Sequence, residues 1–93
     1  MRRLKKLSKD DMASYFDELG FFAMNMGGNC KAYMYFLSDG YMLITDNSGI
    51  DLPRNKDEEI LVGYYDKNDE ETASYTYLNF EKLKKDMPDI IKG

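Results

Sequence analysis

The segment Cys30 to Asp46, CKAYMYFLSDGYMLITD, constrains this chain more than any other. Two runs of aromatic and aliphatic residues, Lys31 to Leu37 and Tyr41 to Thr45, flank Ser38-Asp39-Gly40. Such runs favour strands. Asp-Gly between them is a hairpin signal, because Gly40 takes positive φ without a Cβ clash and Asp39 tolerates the same region. The hairpin implies an antiparallel sheet built around it. Alternation places Cys30, Ala32, Met34 and Phe36 on one face and Lys31, Tyr33, Tyr35 and Leu37 on the other. The first set is expected to face the core and the second to be half-wet. In the next strand Tyr41, Leu43 and Thr45 alternate with Met42, Ile44 and Asp46. Neither face of the hairpin is strongly polar, so both are expected to be at least partly covered. An N-terminal helix can cover one, and a C-terminal helix or a partner the other.

The sequence before the hairpin predicts that helix. Ser8 followed by Asp11 resembles a capping box, and Asp10 and Asp11 suit the positive first turn. Met12, Tyr15, Phe16 and Leu19 recur at helical spacing, and Gly20 suits the left-handed position after the last turn. Phe21 to Met26 reads as a first strand, turned by Gly27-Gly28-Asn29. That glycine pair lacks the flanking pattern of a phosphate-binding loop. Asp46 to Glu59 reads as a loop whose length points either to a function or to pinning by Ile50 and Leu52. Ile60 to Asp66 and Thr72 to Leu78 form a second hairpin with an acidic tip, and Gly63 marks a bulge or close packing against the helix. Asn79 caps a last helix, Phe80 to Met87, which Pro88 ends, and Ile90 and Ile91 offer apolar anchors beyond it.

The 93 residues therefore predict a single α+β domain. Its parts are a basic arm over residues 1–7, a helix over 8–20, an antiparallel β region of four to five strands over 21–78 and a short helix over 79–88. No apolar run approaches the ~20 residues of a membrane span. No apolar segment follows the basic N-terminus, so a secretory signal is not expected. The single cysteine, Cys30, excludes an internal disulfide and fits a reducing cytoplasm, of a bacterium or of a host cell.

Histidine is absent, which removes the commonest general acid–base residue and the commonest metal ligand. No spacing pairs a nucleophile with a base. Cys30, within a strand, reads as a small buried hydrophobe. Asp46, Asn47, Ser48 and Asp51 do not form a calcium loop, because Gly49 stands fourth where the motif requires a glycine at the sixth position. No catalytic residue, metal or cofactor is expected, and the chain reads as a non-enzymatic protein.

Charge is the remaining signal. Arg2, Arg3, Lys5 and Lys6 make a basic arm, whereas Leu7 to Phe80 carries fourteen acids against five bases. Phosphates would be repelled by that body, so direct nucleic-acid binding is not expected of it. The candidate partner-binding residues are Asp46, Asp51, Asp57, Glu58, Glu59, Tyr64, Tyr65, Asp66, Asp69, Glu70 and Glu71. Carboxylates with intervening aromatic rings can imitate a nucleic-acid backbone toward a protein with a basic groove. Along one strand they lie at opposite ends, and only a folded-back loop would unite them. Small size, an acidic body, no histidine and α+β character fit the general profile of phage counter-defence proteins, anti-CRISPRs among them. No motif aligns, so this is a likeness of profile and not membership of a family. The alternative is a structural or assembly module, a homodimer or subunit joined through its sheet and apolar helix. The arm permits a third reading, contact with nucleic acid or an acidic surface by Arg2 to Lys6 alone.

Overall fold

Two of the local signals at the helix ends, Gly20 after the first helix and Asn79 before the last, are met in detail. In the computed structural model, which describes residues 11–91, the chain runs α1 (Asp11–Leu19), β1 (Phe22–Gly27), β2 (Cys30–Leu37), β3 (Gly40–Asp46), β4 (Ile60–Asp66), β5 (Glu71–Tyr77) and α2 (Phe80–Ile90). This is the α+β architecture the sequence predicts. The basic arm and the Ser8 capping box lie outside the described residues. At the end of α1, Gly20 has φ +104° and its N–H donates to the Asp17 carbonyl, while the Phe21 N–H donates to that of Phe16. This pair of bonds is a Schellman cap, and its usual apolar contact is Phe21 on Phe16, with ring centroids 5.3 Å apart.

The five strands form one antiparallel meander in the order β1-β2-β3-β4-β5. Ser38 and Asp39 make the central turn, and Gly40 pairs with Leu37. Gly40 has positive φ, and a Cβ there would overlap the Tyr65 carbonyl oxygen. Asp39, which tolerates positive φ, does not adopt it; among the described residues the one non-glycine with that conformation is Asp69 (φ 67°).

Register decides which face is the core, and it reverses the face expected of β2. Tyr33 pairs with Ile44 and Tyr35 with Met42, while Ile44 pairs with Val62 and Asp46 with Ile60. Opposed residues share a face, so the tyrosines of β2 lie with Met42, Ile44, Ile60 and Val62. Those four are fully buried, and with Tyr33 they pack against Met12 and Phe16 of α1 and Leu83, Met87 and Ile90 of α2. The apolar stripe of α1 covers this face as expected. However, α2 covers it too, so Cys30, Ala32, Met34 and Phe36 lie on a face that no helix among the described residues covers; Ala32 and Met34 are nonetheless buried there, as expected of them, while Phe36 is exposed.

Asn79 caps α2 by accepting from the Lys82 N–H at 3.0 Å. The helix does not stop before Pro88 but continues to Ile90. Proline at this point forfeits one bond to the Lys84 carbonyl. The extra turn buries Ile90, brings its carbonyl within 3.1 Å of the Tyr64 hydroxyl and ends with the Ile91 N–H bonded to Met87. The segment between β3 and β4 is anchored as well. Leu52 packs on the core, Pro53 is buried, the Ile50 carbonyl accepts from the Lys31 N–H, and the Lys56 carbonyl accepts from that of Phe80. Ile50 itself remains half exposed.

Candidate functional site

The acids and tyrosines named from the sequence fall at three places. Seven-residue β4 spans about 20 Å. At its start lie Asp57, Glu58 and Glu59, all exposed, beside Asp46 and the turn that follows it. The Asp46 carboxylate accepts from the Ser48 N–H, and Asp51 accepts from the Leu52 N–H and the Arg54 guanidinium, both at 2.8 Å or less. The Arg54 guanidinium and then the Leu52 N–H hold the Asp51 carboxyl below the usual range. These two acids therefore shape the segment that carries them.

At the other end of β4 the chain turns at Asp66, Asp69, Glu70 and Glu71. The Asp66 carboxylate accepts from the N–H groups of Asn68 and Glu70, closing the turn. Asp69 accepts from the Tyr41 hydroxyl at 2.9 Å. Glu70 and Glu71 are exposed. The segment 47–59 does not fold back to join this tip. Tyr64 and Tyr65 lie on opposite faces of the sheet. Tyr64 is on the helix-covered side, bonded to Ile90, and burial raises its phenol's pKa. Tyr65 is on the open side.

The open side holds residues that charge reading missed. Phe22 and Met24 of β1 pair with Met34 and Ala32 of β2, and Phe36 pairs with Tyr41 of β3. Phe36 is 66% exposed, and Phe22, Met24 and Met26 are 39%, 37% and 43% exposed. The Phe22 and Phe36 rings lie 5.7 Å apart. The cross-strand pair Tyr41 and Tyr65 stacks at 5.2 Å with the planes 7° apart. Desolvation first, then the bond to Asp69, raises the Tyr41 phenol's pKa. Gly63 lies against the Tyr65 ring rather than against a helix. A Cβ there would come 3.0 Å from the Tyr65 ring and 3.3 Å from the Glu71 carboxylate. The bulge falls instead opposite Tyr64 and Tyr65, where β5 gains a residue.

Two hollows accompany this surface. One of about 430 Å³ crosses the open face, bordered by Ala32, Leu43, Thr45, Gly63, Tyr65 and Glu71. The small residues at its floor make the depression. Another, of about 460 Å³, sits at the tip end between Ser38-Asp39 and Asp66, with Phe36 and Thr72 beside it. Among the described residues, Glu71 is the one charged side chain that the strands place on the open face. Lys31 alternates to the other side, near enough to Asp51 to lower that carboxyl's pKa.

An uncharged aromatic face running into a carboxylate tip can exclude water from a partner while offering acceptors to its cations. The described residues hold no group of three or more histidine, cysteine or carboxylate side chains placed to bind a metal ion. None of the described helices is long and apolar enough to cross a membrane. The signal for this face lay in the uncharged run Gly20 to Cys30, which alternates Phe22, Met24 and Met26 on one side. No protein-family model matches the chain, and neither a curated protein nor a solved structure matches it.

Proposed function

We propose that this is a small non-enzymatic binding protein, an inhibitor or adaptor that occupies a basic, nucleic-acid-binding surface of a partner protein. One observation carries the reading: the helix-free face, with Phe36 and the stacked Tyr41–Tyr65 pair, runs directly into the acidic tip at Asp66, Asp69, Glu70 and Glu71. The apolar and aromatic area supplies burial, which gives most of the affinity in interfaces of this kind. The acids steer a positively charged groove into place and repel nucleic acid, the groove's ordinary occupant. The second acidic group, Asp57 to Glu59, lies at the far end of β4 and contributes only to the long-range field. This mode of action is that of phage counter-defence proteins such as anti-CRISPRs, acting in the host-cell cytoplasm. The chain has no histidine, and Asp46, Asp51 and Asp66 are engaged in closing their own turns, which supports a binding role over acid–base catalysis.

The test is affinity capture of the tagged protein from nuclease-treated lysate of its native host, followed by competition. A partner held in this way should be displaced by a single- or double-stranded DNA oligonucleotide. It should be lost on Glu70→Lys with Glu71→Lys and on Phe36→Ser, with the circular dichroism unchanged. Retention of the partner by both variants, or indifference to DNA, would sink the assignment.

A further inference from the structure

We propose that β1 is a self-association edge, pairing antiparallel with β1 of a second copy of this chain. Among the described residues the sheet has two edges, β1 and β5. An edge strand presents unpaired N–H and C=O groups, and proteins that remain monomeric guard such edges with charge, proline, bulges or covering segments. The β5 edge is guarded. It begins at Glu71, carries Thr72, Ser74 and Thr76, and follows the turn containing Asp66, Asp69 and Glu70. The β1 edge is not guarded by charge. From Gly20 to Cys30 the chain has no charged residue and no proline, and every residue of β1 is exposed. The single register shift against β2 falls between Asn25 and Gly27, leaving Phe22 to Asn25 regular.

Symmetry and charge select a second copy as the occupant. A two-fold axis normal to the sheet puts the open faces of both copies on the same side, so even-numbered residues must oppose even-numbered ones. Centring on Met24 opposes Met24 to itself and Ala23 to Asn25, within the regular stretch. Centring on Ala23 opposes Phe22 to Met24 and Ala23 to itself. Either way the exposed apolar side chains of β1 meet their like, and no charge is brought to a charge. A partner chosen by acids finds none here. The tip acids lie on the far strands, so the two net-negative bodies meet through their least charged border. The product is a continuous ten-stranded sheet, on which Phe22 and Phe36 of each copy join one apolar band.

Sedimentation equilibrium of the full chain tests this. The unsubstituted protein should show about twice the chain mass of 10.9 kDa at micromolar concentration. Met24→Lys places a cation at or beside its own copy and should halve the mass, with circular dichroism unchanged; Thr76→Lys, on the β5 edge, should not. In a Cys30→Ser background, Ala23→Cys or Met24→Cys should give a disulfide-linked dimer on mild oxidation, at whichever position lies on the axis. A monomeric unsubstituted protein would overturn the proposal. So would a dimer that survives Met24→Lys or dissociates on Thr76→Lys, or the absence of a cross-link at both positions.

Discussion

Among the described residues, Tyr77 carries the largest shift in acidity. Its ring packs on the core, and its hydroxyl donates to the Asp86 carboxylate of α2 at 3.1 Å. Burial first, and then the bond to Asp86, push the phenol up to about 12 from the usual 10.0. The folded state thus holds this proton in a range where the unfolded chain releases it. The associated stability is fully present below about pH 10 and is lost as pH rises toward 12. Tyr77→Phe should therefore lower stability at neutral pH by about 0.5–1.5 kcal/mol, the net worth of one hydrogen bond. It should also flatten the decline between pH 10 and pH 12. Denaturant titrations across that range check both, and an equally steep decline in the variant would assign the loss to other groups. At this scale, single-residue chemistry was open to sequence reasoning where it was local. Gly20, Gly40 and Asn79 do what their types predict, because caps and turns depend on a few neighbouring atoms. Tyr33 was misplaced because its face depends on what lies opposite in β3 and β4, which residue type does not encode.

Among the elements, strands and helices were found close to their observed limits, since period and punctuation are properties of short windows. The exception is the end of α2. Pro88 is a stop signal in isolation, but one lost backbone bond is outweighed when a further turn buries an isoleucine. Ile90 is 5% exposed, and its carbonyl accepts from Tyr64. Truncating it by Ile90→Ala should cost about 2–5 kcal/mol, as large-to-small changes in a core do. Had the helix ended before Pro88, with a loose tail beyond, the same change would be nearly neutral. Chemical denaturation of the variant separates the two, and a loss under about 1 kcal/mol would contradict the packing of the last turn.

At the scale of the whole molecule, the candidate site depends on a fact no window contains: both helices lie on one side of the meander. The sequence shows two apolar hairpin faces and two amphipathic helices, which are compatible with one helix on each face. Register settles it by gathering Met42, Ile44, Ile60 and Val62 on the Tyr33 side, and α1 and α2 both follow that quartet. The acids were visible from the start, but their division between two ends of β4 and the aromatic surface beside one end were not. The face and the tip should contribute differently to partner binding. Charge at the tip acts over a Debye length of about 8–10 Å and is screened by salt, whereas burial of Phe36 is not. Affinity for a captured basic partner should thus fall as salt rises. Glu70→Lys with Glu71→Lys should weaken binding at low salt and flatten that dependence, with the effect chiefly in the association rate. Phe36→Ser should weaken binding roughly tenfold or more at every salt concentration, chiefly by faster dissociation, and leave the slope intact. Surface plasmon resonance across a salt series reads all of these quantities together. A slope unchanged by the charge reversals would place the partner's cations elsewhere. A Phe36 variant with full affinity would remove the open face from the interface.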